Sequence, residues 1–250
     1  MLPLTLAIVA RDEADRIGAA IRSVPFAAEV VVLDSGSGDG TPELARALGA
    51  RVIETDWPGY VAQKQRAWAA ASQPWVLSLD ADERLSPELA RAIEAAIGGG
   101  GAAVGYALRR RNRWLGRPIR GGVMGPRWHL RLARKDSAAW AGEDPHDQLR
   151  VKGPTLRLEG ALEHEPYRQL GEHLATIDRY SAIFVEQSRK SGRRAGLIDV
   201  LLRPFLHFVK AILLRGGWRD GAVGLALAWL GSAHVALKWL RLYLDEGERP

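Results

Sequence analysis

Residues 30–41 read Val-Val-Val-Leu-Asp-Ser-Gly-Ser-Gly-Asp-Gly-Thr, and residues 75–83 read Trp-Val-Leu-Ser-Leu-Asp-Ala-Asp-Glu. Each is a short apolar run that ends in an acid and breaks into a turn. Outward from these two stretches, residues 4 to about 110 alternate apolar runs with amphipathic ones, the rhythm of βαβ units around a parallel sheet. Strands are expected over 4–10, 30–34, 51–54, 75–80 and 105–109, and helices over 14–24, 42–48, 60–71 and 87–97. Thr41-Pro42-Glu43 and Ser86-Pro87-Glu88 each supply an N-cap residue, a proline at the first helical position and an acid in the first turn. Gly49 and the run Gly98–Gly101 stop their helices. In an open parallel sheet, ligands sit beyond the carboxyl ends of the strands, so Asp34 and Asp80 point toward one crevice.

The chain of 250 residues is 47% apolar and 26% charged, with a formal net charge of +6 and no cysteine. That suits one large globular domain, or one domain with an appendage, which needs no disulfide or metal to hold its core. Disulfide frameworks, thiolate zinc sites and cysteine nucleophiles are excluded. The opening ten residues have no basic residue ahead of them and run into Arg11-Asp12-Glu13. They read as a buried strand rather than a signal peptide, so the body is expected to stay where it is made.

Charge is unevenly placed. Residues 1–108 carry 9 basic and 14 acidic side chains, residues 109–135 carry 10 and none, and residues 136–250 carry 16 and 15. The basic block fits a solvated face or a surface for phosphates. Trp114, Trp128 and the Gly121-Gly122 turn interrupt it, unlike a disordered basic tail.

Three motifs carry chemistry. The turn after Asp34 has threonine where a dinucleotide fingerprint needs its third glycine, at position 41, and the chain has no P-loop. What remains is a strand-end acid before a helix, able to receive a nucleotide or to serve as a simple βα turn. Asp80-Ala81-Asp82-Glu83 places two carboxylates two residues apart, one for a ribose hydroxyl and one for a hard divalent cation bridging phosphates; turn and capping chemistry is the plainer alternative. Glu143-Asp144-Pro145-His146-Asp147 offers a carboxylate as general base. The histidines, His164 and His173 among them, lack zinc-like spacing.

In this order the three motifs resemble glycosyltransferase family 2, the inverting enzymes of the GT-A fold. Within it they are most similar to the bacterial lipopolysaccharide core β-1,4-glucosyltransferases. Further marks are Arg11-Asp12-Glu13, Gln63-Lys64-Gln65, the Pro-His-Asp run at 145–147, Leu162-x-His164-x-x-Tyr167, and residues 216–224. The resemblance implies an α/β fold with a mostly parallel sheet flanked by helices and a C-terminal apolar helical appendage. It divides the chain into a nucleotide-sugar half (1–110), an acceptor and base half with the basic block (111–195), and apolar helices (196–250). Glu13, Asp34, Ser35, Lys64 and Asp80 would line the nucleotide-sugar pocket, Asp82 would hold Mg²⁺ or Mn²⁺, and Asp147 would be the base, with Asp144 second. Ser35 replaces an acid common in the family, and Gln65 replaces an asparagine. The implied activity is metal-dependent inverting transfer of a hexose, glucose in the group resembled, from a UDP-sugar to a lipopolysaccharide core or other anionic cell-envelope glycolipid. Transfer to polyprenyl phosphate and a silent membrane scaffold of the same fold are the alternatives. Nucleic acid is not an expected partner, since the strand-end acids would repel its phosphates.

Residues 200–215 and 222–244 are apolar helical candidates. The second has no charged residue from Ala222 to Leu237, short of the ~20 residues of a confident span. They are expected to lie on the cytoplasmic side of a bacterial inner membrane as peripheral helices, with Arg203, Lys210, Arg215, Arg219, Lys238 and Arg241 near head groups and Trp229, Trp239 and Tyr243 at the same level. A membrane span, a lid and a dimer contact are the other readings.

Overall fold

The computed structural model describes residues 1–144 and 146–247. Pro145 of the Pro-His-Asp run therefore lies outside the described residues, as do residues 248–250. Two compact units divide the chain, one of residues 1–110 and 127–164, the other of residues 111–126 and the chain from 165 onward.

The first unit opens with β1 (Leu2–Ala10), α1 (Ile17–Arg22), β2 (Ala27–Asp34), α2 (Thr41–Ala47), β3 (Arg51–Glu54), α3 (Tyr60–Ala70), β4 (Trp75–Asp80), β5 (Glu83–Leu85) and α4 (Pro87–Gly98). β6 (Gly105–Trp114) runs out past the end of this unit to the short β7 (Arg117–Pro118). β8 (Arg127–Arg134) returns, followed by β9 (Ala138–Glu143), β10 (His146–Val151), β11 (Thr155–Arg157) and β12 (Leu162–His164). The sheet order is β3-β2-β1-β4-β8-β6-β12-β5, and β9 and β10 form a separate hairpin. β3, β2, β1 and β4 are parallel, whereas β8 is antiparallel to β4 and β6.

Alternation along β1 explains why the sheet is covered on both sides. Leu4, Leu6 and Ile8 join Ile17, Leu77, Leu79, Leu89 and Ile93 on one face. Ala7 on the other joins Val31, Leu33, Val76, Trp68 of α3 and Trp140 of β9. In register, Ala10 lies beside Asp34 and Val9 beside Asp80, so both acids emerge at the same edge on either side of β1.

Two local expectations need correction. The first helix begins at Ile17 rather than 14, because the preceding backbone is engaged elsewhere. The N–H groups of Asp12, Glu13 and Ala14 donate to Ser37 Oγ, Thr41 Oγ1 and Asp39 Oδ2 at 2.8, 2.8 and 2.9 Å. For the same reason Thr41 is not an N-cap: α2 starts on it, Gly40 precedes it at φ +89°, and its hydroxyl serves Glu13. Ser86 does cap α4, accepting from Leu89 N at 3.3 Å.

The second unit holds α5 (Leu170–Lys190), α6 (Leu197–Val209), a π-helical continuation over Lys210–Leu214, a 3₁₀ turn at Gly217–Asp220, and α7 (Gly221–Gly247). The Gly216–Gly221 stretch is a packing device. The Asp220 carboxylate accepts from Arg120 N and Gly121 N at 2.9 Å, and a Cβ on Gly121 would overlap the carbonyl of Gly216. Trp239 is buried beside Phe184, with ring centroids 5.2 Å apart, and Arg241 pairs with Asp178 and Ser181. Trp239 thus serves the interior of the unit, and not the head-group level expected of it, while Arg241 is engaged in a partly exposed pair with Asp178. Residues 217–245 are long and apolar enough to cross a membrane by length and composition.

Candidate active site

The Asp34 turn is self-supporting. Asp34 Oδ1 accepts from Gly36 N at 3.0 Å and Ser37 N at 2.8 Å, and Oδ2 accepts from Ser37 Oγ at 2.5 Å. An aspartate holding its own following backbone is a turn former, which explains why this position is acidic before any ligand is considered. Glu13 pairs with Arg16 across 2.5 Å.

The Gln63-Lys64-Gln65 run on α3 divides its work three ways. Gln63, fully buried, donates through Nε2 to Ser35 Oγ at 2.9 Å. Gln65 Oε1 accepts from Trp140 N at 2.8 Å and fixes the hairpin to α3. Between them, Lys64 Nζ stands 2.8 Å from Asp80 Oδ1 and 2.9 Å from Asp147 Oδ2.

The pairing continues. Asp80 Oδ2 accepts from Arg131 Nη2 at 2.9 Å, the same nitrogen lies 3.1 Å from Glu83 Oε1, and that oxygen is 3.6 Å from Arg110. Asp147, Lys64, Asp80, Arg131, Glu83 and Arg110 thus form one run of alternating charge drawn from six elements. Trp140 backs it, its ring centroid 4.9 Å from Lys64 Nζ and 5.6 Å from the Arg131 guanidinium. Burial opposes ionisation of Asp80, but Lys64 and Arg131 outweigh it and hold its carboxyl well below the usual range. Burial likewise lowers Arg131, and Glu83 and Asp80 more than reverse it, so its pKa is raised. His129 is pushed down to about 3 by burial and by Arg110, Arg131 and Arg127, so it is neutral at neutral pH.

Asp82 faces another way. Its Oδ2 lies 3.2 Å from His164 Nε2, and despite burial this contact holds the Asp82 carboxyl low. A carboxylate oxygen and an imidazole nitrogen at this spacing beyond a strand end suit a divalent cation that takes its remaining ligands from phosphate and water. No group of three or more histidine, aspartate or glutamate side chains could hold a metal among the described residues. Such a cation would therefore depend on the bound nucleotide for the rest of its shell.

Asp144 is occupied differently from Asp147. Its Oδ1 accepts from Val61 N at 2.9 Å, and its other oxygen closes over Gly59 where a Cβ would stand. That is the position of a capping side chain at the N-terminus of α3, supplied from the hairpin because Gly59 has none.

Lys64, Asp80 and Asp147 are thus in direct contact, Asp82 is adjacent, and Asp34, Ser35 and Glu13 surround the next turn along the sheet edge. Sequence reasoning missed Arg131, Glu83, Gln63 and His164 as members. Arg131 was hidden within the basic block and Glu83 beside the more conspicuous Asp82, while His164 was legible only as part of a longer mark.

A sequence profile described as glycosyl transferase family 2 matches residues 5–147. A lipopolysaccharide core biosynthesis glycosyltransferase of Rhizobium meliloti is 28% identical over 249 residues, 97% of this chain and 92% of that one. An uncharacterized glycosyltransferase of Rickettsia bellii is 48% identical over 229 residues, 83% of this chain and 75% of that one. Among solved structures, mannosyl-3-phosphoglycerate synthase from Rubrobacter xylanophilus aligns with a TM-score of 0.48 at 18% identity, covering 78% of this chain and 77% of that one.

Proposed function

The chain belongs to glycosyl transferase family 2, and from that premise we propose that it moves a hexose from a UDP-sugar to a hydroxyl of a lipopolysaccharide core or similar cell-envelope glycolipid, with inversion. It is a glycosyltransferase with a GT-A-type fold. The observation that carries the finer reading is the joint grip of Lys64 on Asp80 and Asp147, which holds a donor-side acid and a base in one cluster at the carboxyl edge of the sheet.

In this reading the acceptor hydroxyl attacks the anomeric carbon from the face opposite the diphosphate. The new carbon–oxygen bond forms as the bond to phosphate breaks, UDP leaves, and Asp147 takes the hydroxyl proton. One Asp147 oxygen is held by Lys64, and the other has no hydrogen-bond partner among the described residues. The backbone capping by Asp144 supports Asp147 over it as base. Asp80 and the Asp34–Ser35 turn would receive the nucleoside. Asp82 and His164 would hold Mg²⁺ or Mn²⁺, which when bound offsets diphosphate charge.

A membrane-held acceptor suits the second unit. Leu197, Ile198, Leu201, Leu202, Phe205 and Leu206 of α6 are 47% to 73% exposed, and no residue of that helix is buried. Residues 200–219 carry four basic side chains and no acidic one. An apolar helix face rimmed by cations fits the anionic surface of a bilayer, with the protein peripheral on its cytoplasmic side. The similarity to the Rhizobium protein supports the lipopolysaccharide core as acceptor.

The test is a screen of sugar nucleotides for transfer to delipidated core oligosaccharide, with polyprenyl phosphate as competing acceptor and EDTA as control. Transfer to the oligosaccharide that EDTA abolishes is expected. Preference for polyprenyl phosphate would move the acceptor, and no turnover with any sugar nucleotide would overturn the reading.

A further inference from the structure

Resting on Asp147 as base, we propose that Lys64 is the positioning residue of the reaction. In this assignment it aims the base from the donor-side acid and does not bind the donor itself.

Lys64 has little donor capacity to spare. An ammonium group has three donors and no acceptor. Two directions are taken by Asp80 and Asp147, the Trp140 ring lies at 4.9 Å, and the side chain is only 5% exposed. Little of Lys64 is left for a phosphate to reach.

The two acids it joins are unequally held. Asp80 is fixed from three sides: Arg131 holds its second oxygen, Glu83 holds Arg131, and Glu83 Oε2 also accepts from Asp80 N at 3.0 Å. The Asp147 side chain has Lys64 as its one hydrogen-bond partner among the described residues. Asp80 is therefore the fixed point and Asp147 the group being aimed. Lys64 also makes the arrangement tolerable, since two carboxylates within reach of one nitrogen would repel each other without it. Removing the ammonium should leave Asp80 on Arg131 and let Asp147 turn away.

This separates a positioning role from a donor-binding one. Lys64→Met is expected to lower kcat about 10²-fold, the scale of a misplaced reacting group, with UDP affinity by calorimetry changed less than ~3-fold. The decisive arm is a double-mutant cycle. In an Asp147→Asn background the base is already lost, so adding Lys64→Met should cost less than a further ~3-fold in kcat. Losses that multiply would overturn the proposal, as would UDP affinity weakened ~10-fold or more by Lys64→Met with kcat unchanged. Should Lys64→Met fail to fold, Lys64→Arg keeps the charge while shifting the contact. A turnover loss at unchanged UDP affinity is expected there too, and loss of UDP affinity would overturn it. Transfer by the unaltered chain is a separate reading: its absence counts against the function, whereas additivity in a transferring chain counts against Lys64 alone.

Discussion

Asp144 and Asp147 stand three residues apart on one hairpin, and the sequence offers no means of ranking them beyond family likeness. Their contacts do. Asp147→Asn is nearly isosteric but a poor proton acceptor, so turnover should fall by about 10² or more while UDP binding persists. Asp144→Asn should leave turnover within a few-fold, and Asp144→Ala should cost about 1 kcal/mol of stability in urea melts, the cost of a lost helix cap. A reversed pattern would move the base to Asp144. Glu29, remote from the chemistry, is the second residue with a measurable signature. Although its partial burial opposes ionisation, hydrogen bonds from Thr5, Ser72 and Arg51 hold its carboxyl down to about 2. Its folded value lies below the unfolded one, so the stabilisation is complete above pH ~4.5 and fades as pH falls toward about 2. Glu29→Gln should therefore cost about 1–2 kcal/mol at pH 7, with the gap to the parent closing across that interval in denaturant titrations.

Elements whose shape follows from their own residues were legible in advance. β3 and β4 fall where an apolar run bounded by a turn or an acid puts them, and α4 starts at the Ser86 cap. The first helix starts later than its sequence predicts because side chains from the β2–α2 turn, about 25 residues away, engage the backbone ahead of it. Lys64, Asp80 and Asp147 are each legible as site residues through the family resemblance, but their pairing is not, since Lys64 and Asp147 are 83 residues apart and nothing local joins them. At this scale the Gly216–Asp220 segment yields a test. Asp220→Ala would strip the acceptor from two backbone N–H groups, and Gly121→Ala would force a side chain into the Gly216 carbonyl. Each should cost about 1–3 kcal/mol by thermal melting, with little effect on UDP affinity. Helix α6 supplies another: Leu201→Glu with Phe205→Glu places two charges on an exposed apolar face, where folding has little at stake. The pair should abolish flotation with anionic vesicles while leaving donor hydrolysis intact. Unchanged flotation would remove α6 from the membrane reading. Deleting the C-terminal helices would be a poorer test, because α7 carries Trp239 and Leu242 of that unit's own core.

At the scale of the whole molecule, the chain visits its second unit twice. Residues 111–126 leave the first unit in the middle of what would otherwise be a β6–β8 hairpin, and their companions arrive only from residue 165 onward. That order matters during synthesis. The Gly121 amide cannot meet the Asp220 carboxylate until some hundred further residues have been made, as their separation in sequence is 99. By then β8 to β12 can already have closed the first unit around its sheet, leaving the excursion as a tethered loop awaiting its late half. Nascent chains arrested near residue 200 should then be nicked by protease within 111–126 and resist it across 127–164, whereas full-length chains should resist in both. If the proposed membrane face is right, the same delay gives a growing chain its acid cluster before its lipid-facing helices, and capture by the membrane would then be the last event in its maturation and not the first.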